Sequence, residues 1–313
     1  MHMKVFVTGV AGQLGHDVMN ELAKRGYEGI GSDVKEVYSG VADGTPVTTM
    51  PYVPMDITDR ASVEKVLKEA APDVVVHCAA WTAVDLAEDE DKKETVRKVN
   101  AEGTRNIALV CKELDCKMVY ISTDYVFDGQ GTEPWDPDCK DYKPLNVYGE
   151  TKLEGELAVS ENLEKYFIVR IAWVFGKNGK NFIKTMLNLG KTHDQLRVVS
   201  DQIGTPTYTL DLAVLLVDMI ETEKYGYYHA TNEGGYISWY DFTKEIFRQA
   251  IEAGHKEYEK VTVTPVTTEE YGVSKAKRPF NSRLDKSKLT ASGFRLLPTW
   301  QDAVKRYLAE IEF

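Results

Sequence analysis

"KVFVTGVAGQLGHDVMNELAKRGY", residues 4–27, passes from a β-branched run into glycines at 9, 12 and 15, then into apolar residues at helical spacing that stop at Gly26. The order is strand, tight turn, helix. Glycine lets the backbone turn sharply and approach a pyrophosphate, while the free N–H groups and dipole of a helix start attract the anion. Gly9, Gly12 and Gly15 are therefore candidates to cradle a dinucleotide. The spacing is G-x-x-G-x-x-G where the usual fingerprint is G-x-G-x-x-G, so the place of the glycines between strand and helix carries the inference.

Outward from this unit, further strands are expected at 26–33, before "PMDITD" (54–59), and at 73–80 and 117–123, with helices over 60–70 and 94–114. "DVVVHCAA" (73–80) is apolar on both faces, as in a parallel sheet covered on both sides by helices. A turn-rich loop begins at about Asp124 and leads to a helix from about Val147, then a strand over 166–176, a helix over 180–191 and a strand over 196–201. The expected fold is α/β, a Rossmann-like doubly wound parallel sheet with a smaller α/β C-terminal substrate domain. The nucleotide-binding domain takes 1–170 and roughly 196–229; roughly 171–195 and 230–313 form the second domain.

The 313 residues carry a formal charge of −11 and are 43% apolar and 28% charged. This composition suits a globular protein and disfavours a nucleic-acid or membrane surface, because a polyanion would be repelled. An anionic ligand then needs a local device. The longest apolar stretches are too short for a bilayer, and the run from Met1 into the first strand is unlike a secretory leader. Cys78, Cys111, Cys116 and Cys139 lack the spacing of a zinc site or a disulfide framework, and read as reduced thiols of a cytoplasmic protein. No metal site is assigned.

Asp33 ends the second expected strand, where an acidic side chain would hydrogen-bond an adenosine ribose and favour NADH. Lys35 nearby could instead accept the 2′-phosphate of NADPH, so both cofactors stay open. Asp56 and Ile57 sit where an adenine would lie, although Asp56 also suits a helix N-terminal signal. Tyr148 and Lys152 are four apart on a helix and share a face. A tyrosine titrates near ~10, too high for ready proton exchange at neutral pH, and a neighbouring ammonium favours its phenolate. Tyr148 thereby becomes a candidate proton donor to a ketone oxygen. Ser122 and Thr123 end a strand where α/β sheets bind ligands, and their side chains point to opposite sides, so one of them should hold that oxygen.

"GVAGQLG" (9–15), "STDYVFDG" (122–129) and "YGETK" (148–152) resemble the extended short-chain dehydrogenase/reductases. "CAAWTAVDLAE", "PLNVYGETKLEGE", "NFIKTML", "VVSDQIGTPT", "YYHATNEGGYISWYDF" and "RPFNSRLD" are similar to those members that reduce the 4-keto group of a dTDP-6-deoxy sugar, over nearly the whole chain. The resemblance implies Thr123, Tyr148 and Lys152 as the catalytic set, with Tyr148 and Lys152 also touching the cofactor. Gln13 and Leu14 with the glycines, Asp33, Asp56 with Ile57, and Ala79, Ala80, Trp81 and Thr82 match cofactor positions. Thr82, Thr123, Asp124, Tyr148 and Trp173 match substrate positions, although Trp173 alone would equally read as a core aromatic.

His77 and Trp81 depart from the family pattern, which often has asparagine and histidine there, and both are expected beside the nicotinamide. Arg278 and Arg283 are assigned on chemistry to the substrate diphosphate, which a planar guanidinium suits. The resemblance implies NADPH or NADH as cofactor, magnesium at no identified site, a nucleotide-sugar substrate, and a monomer or homodimer. Another nucleotide-sugar 4-ketoreductase, an epimerase, or a regulatory subunit like the β subunit of methionine adenosyltransferase are the alternatives on the same scaffold.

Overall fold

The computed structural model describes residues 3–313; Met1 and His2, counted with the first domain above, lie outside them. In chain order the principal elements begin with β1 (Lys4–Thr8), α1 (Gln13–Lys24), β2 (Glu28–Ser32), α2 (Arg60–Ala70) and β3 (Val74–His77). Next come α3 (93–114), β4 (Lys117–Thr123), α4 (Val147–Ser160), β5 (Tyr166–Ile171), α5 (Phe182–Thr192), β6 (Gln195–Val199) and α6 (Thr209–Ile220). β7 (Gly226–His229), α7 (Trp239–Glu252), β8 (Thr262–Val266) and α8 (Trp300–Glu310) complete them. α3 is one helix interrupted by a π turn over Lys98–Gly103.

Six parallel strands form the central sheet in the order β7-β5-β4-β3-β1-β2. Alternation along the strands explains its two cores. Val5 and Val7 face α1 and α6 with Leu22 and Leu216, while Phe6 and Val75 face α2 and α3 with Leu67 and Ile107. Each such side chain, once buried, contributes roughly 1.5–3 kcal/mol. The sheet order reverses between β1 and β3, and open α/β sheets bind ligands at that point, outside the carboxyl ends of the strands.

Several expected elements differ. No strand precedes Asp56: the segment makes only a bridge between Gly31 and Tyr52. β3 stops at His77, and beyond it Cys78, Ala79, Ala80 and Thr82 line a cleft. The strand expected over 166–176 breaks after Ile171, where Trp173 takes a left-handed φ of +53°. That kink turns Val174–Phe175 away to pair with Thr207–Tyr208.

β6, counted with the nucleotide-binding part, pairs instead with β8, and its Leu196 and Val198 pack beside α5 and α7 in a third core containing Ile183, Phe242 and Ile246. Both strands are only five residues long and pair outside the central sheet, so periodicity alone could not assign them to it. Among the described residues, no helix is long and apolar enough to cross a membrane.

Candidate active site

The carboxyl ends of the strands open onto a cleft of about 780 Å³, walled by the glycine turn on one side and by Thr123, Tyr148 and Lys152 further along. Trp173, Trp239 and Arg278 close it from outside the sheet. The turn demands glycine. Gly9 has φ +69°, and a Cβ there would lie 2.7 Å from the Ala79 nitrogen. A Cβ at Gly15 would collide with the Gly9 carbonyl. Gly12 is the N-cap of α1 and no side chain caps that helix, so its leading N–H groups face the cleft unclaimed. A glycine-only cradle ending in free donors fits the phosphates of a dinucleotide.

Gln13 and Leu14 line the same wall. Asp33 accepts from Ala11 N at 3.1 Å and from Val34 N at 2.8 Å, so its carboxylate braces the turn while lining the cleft. Lys35 is exposed and is not part of the lining. Asp56 and Ile57 line the cleft; the Asp56 carboxylate accepts from Thr58 N and Oγ1, and Asp59 is the residue that caps α2.

Ala79, Ala80 and Thr82 also line the cleft, but Trp81 does not: its indole N–H donates to the Ala83 carbonyl at 3.1 Å. His77 is likewise absent from the wall. Its Nδ1 lies 2.7 Å from Thr8 Oγ1 and its Nε2 3.1 Å from Thr104 Oγ1, and burial holds it near 3, a neutral core residue. Neither His77 nor Trp81, both expected beside the nicotinamide, forms part of the cleft wall.

Asn146 caps α4 by accepting from Gly149 N at 2.8 Å, which starts the helix so that Tyr148 and Lys152, one turn apart, both reach the cleft. Lys152 Nζ donates to the Ile121 carbonyl at 2.7 Å and sits 4.2 Å over the Tyr120 ring. Burial pushes this amine down to about 7, against the opposing charge of Glu156. Tyr148 is pushed up by burial and then by the Asp124 charge, with the Thr123 hydroxyl pulling the other way.

The Tyr148–Lys152 spacing is expected to favour the phenolate, whereas burial acts in the opposite direction in the protein alone. Excluding water disfavours phenolate and ammonium together, and Lys152 gives one of its N–H donors to the Ile121 carbonyl. The phenol keeps its proton, which is the form a proton donor needs.

Ser122 and Thr123 both line the cleft, but it is Thr123 whose hydroxyl acts on Tyr148; it also donates to Asp124 Oδ1 at 3.1 Å. Asp124 accepts from Ser282 Oγ as well, and burial raises its carboxyl to about 6. Trp173 lines the cleft and stacks on Trp239 at 3.7 Å and 18°. A left-handed tryptophan is costly, and such strain concentrates at functional sites.

Arg278 lines the cleft and is held by Asp85 Oδ2 at 2.7 Å and the Tyr125 hydroxyl at 3.1 Å. Arg283 does not reach the cleft. Its Nη1 donates to Asn281 Oδ1 at 3.0 Å, while the adjacent Ser282 is the residue that meets Asp124.

Three residues went unread in the sequence. Asn100, in the π turn, accepts from Trp81 N at 2.8 Å and donates to Thr151 Oγ1 at 3.1 Å, pinning the cleft wall to α4. Tyr125 packs edge-on to Tyr148 with ring centres 5.5 Å apart. Trp239 was quoted only inside a longer motif. None carries a local signal, since each acquires its place from chain segments far away. Among the described residues, no group of three His, Cys, Asp or Glu side chains could hold a metal ion.

The strand order and the turn at the switch point define the class: a Rossmann-type α/β protein whose glycine turn is shaped to receive the phosphates of a dinucleotide. The chain belongs to the RmlD substrate binding domain family, which it matches over residues 3–313. It is 38% identical to the spore coat polysaccharide biosynthesis protein SpsK of Bacillus subtilis (strain 168), covering 98% of this chain and 97% of that one. It is 37% identical to the dTDP-4-dehydrorhamnose reductase of Aggregatibacter actinomycetemcomitans, covering 99% of each. The solved structure of dTDP-4-dehydrorhamnose reductase from Bacillus anthracis str. Ames in complex with NADP is 39% identical, with a TM-score of 0.87 over 99% of this chain and 100% of that one.

Proposed function

We propose that the protein reduces the 4-keto group of dTDP-4-dehydrorhamnose (dTDP-4-dehydro-6-deoxy-L-mannose) to give dTDP-L-rhamnose, using NADPH or NADH. The observation that carries this reading is the convergence of Thr123, Tyr148 and Lys152 on one cleft whose far wall is the uncapped start of α1. The names of the relatives at 37% and 39% identity support the choice of sugar.

The dinucleotide, when bound, supplies the hydride. Gly9, Gly12 and Gly15 receive its phosphates, and Asp33 receives the adenosine ribose. Lys152 holds the nicotinamide ribose. The Thr123 hydroxyl orients the substrate carbonyl, and Tyr148, kept protonated by burial, gives its proton to the oxygen. Trp173 and Arg278 bound the sugar-nucleotide end, where Arg278 can exchange Asp85 for a phosphate oxygen.

Supplying the dTDP-4-keto sugar with reduced nicotinamide and following loss of its absorbance tests the reading. Tyr148→Phe should lower kcat at least about 100-fold while dinucleotide affinity stays near parental. A variant that turns over at the parental rate refutes the proton-donor role.

A further inference from the structure

Resting on the dinucleotide reading above, we infer that Lys180 is a pyrophosphate-binding residue, reaching the dinucleotide from a loop that leans on the glycine turn. The protein is strongly acidic overall, with a formal charge of −11, so an anionic ligand needs a local cation as well as backbone donors. Three cations line the cleft: Lys152, Lys180 and Arg278. Lys152 is buried against the Ile121 carbonyl, and Arg278 is claimed by Asp85 and Tyr125. Lys180 alone of the three is exposed, and no carboxylate or hydrogen-bond acceptor engages its amine among the described residues.

Its neighbours are committed elsewhere. Lys177 pairs with Asp43 at 2.7 Å, and Lys184 donates to the carbonyls of Lys177 and Gly179. These bonds fasten the loop around Lys180 without using its charge.

The loop is registered against the phosphate cradle through Gln13. Asn181 Nδ2 donates to Gln13 Oε1 at 3.0 Å and to the Gly176 carbonyl at 2.9 Å. Cβ atoms at Gly176 and Gly179 would come within 3.2 and 3.8 Å of the Gln13 side chain. Lys180 immediately precedes Asn181, which bonds Gln13 at the start of α1, and it lines the same cleft as the uncapped N–H groups of that helix. A flexible ammonium there acts as a point charge on phosphate, which lysine suits better than a fixed fork. The loop also leads directly into α5 and the third core, so the contact would tie that part of the molecule to the cofactor.

The test uses purified full-length protein and titration calorimetry with ADP, NADPH, adenosine and dTDP as probes. Lys180→Met should weaken ADP and NADPH about tenfold, leave adenosine unchanged, and reduce the salt dependence of ADP binding; Lys180→Arg should recover most of the affinity. Unaltered thermal unfolding of both variants confirms an intact fold. Parental ADP affinity in Lys180→Met overturns the inference. So does a loss confined to dTDP, which would put the lysine on the substrate diphosphate. A parental protein that binds neither NADPH nor ADP overturns the proposed function itself.

Discussion

Lys152→Met should stabilise the cofactor-free protein at neutral pH while abolishing its activity. The parental amine is buried and moves from 10.5 to about 7 on folding, chiefly through loss of water. At about 1.4 kcal/mol per pH unit, that costs the native state about 4 kcal/mol at pH 7. Methionine fills a similar volume without a charge. It leaves the Ile121 carbonyl, bonded to Nζ at 2.7 Å, short of a donor, which costs about 1–3 kcal/mol.

The balance is a gain of about 1–3 kcal/mol, or about 2–5 °C in Tm for a chain of this length. The sign of the pH dependence follows from where the protons reside. The unfolded lysine titrates near 10.5 and the native one near 7, so the unfolded chain binds more protons between these values and parental stability rises with pH. The advantage of the variant should shrink by about 2 kcal/mol between pH 7 and pH 9. Urea unfolding at the two pH values measures both quantities. A variant less stable than the parent at pH 7, or an advantage that does not change with pH, refutes the account of Lys152 as a buried amine held against its ordinary titration.

Two further substitutions probe other links. Glu156 and Arg170 form a fully buried bidentate pair, with both bonds at 2.8 Å, so Glu156→Gln should leave an uncompensated guanidinium and cost about 3–5 kcal/mol in urea unfolding. Asp33→Asn keeps an oxygen for Ala11 N at the turn but removes a negative charge from the ribose end of the cleft, so affinity for NADPH relative to NADH should rise severalfold in fluorescence titrations. An unchanged ratio would show that Asp33 does not face the 2′ position.

The parts of the fold legible in the sequence are those whose physics is local. The glycines at 9, 12 and 15 and the strand and helix around them announce themselves within two dozen residues, and so does the helical pairing of Tyr148 with Lys152. Asn146, read only as part of a motif, proves to be the cap that sets their register. What failed were inferences that needed to know the neighbours. Guanidinium chemistry assigned Arg283 to a diphosphate, but the folded chain bonds it to Asn281 and leaves it outside the cleft wall. Strand periodicity ran through Trp173, where the backbone breaks into a left-handed conformation and the indole finds Trp239.

Hydrophobic period, glycine sterics and helix geometry act over a few residues, so the chain alone announced the doubly wound architecture, the glycine turn and the shared face of Tyr148 and Lys152. Only the tertiary structure decided the charge states at the site. Whether Lys152 makes Tyr148 more acidic or is itself made neutral depends on how much water the surrounding chain removes. The centre of the Tyr120 ring, from β4, lies 4.2 Å from the Lys152 amine, and the Asp124 charge, brought in by the segment after that strand, adds to the effect of burial on Tyr148.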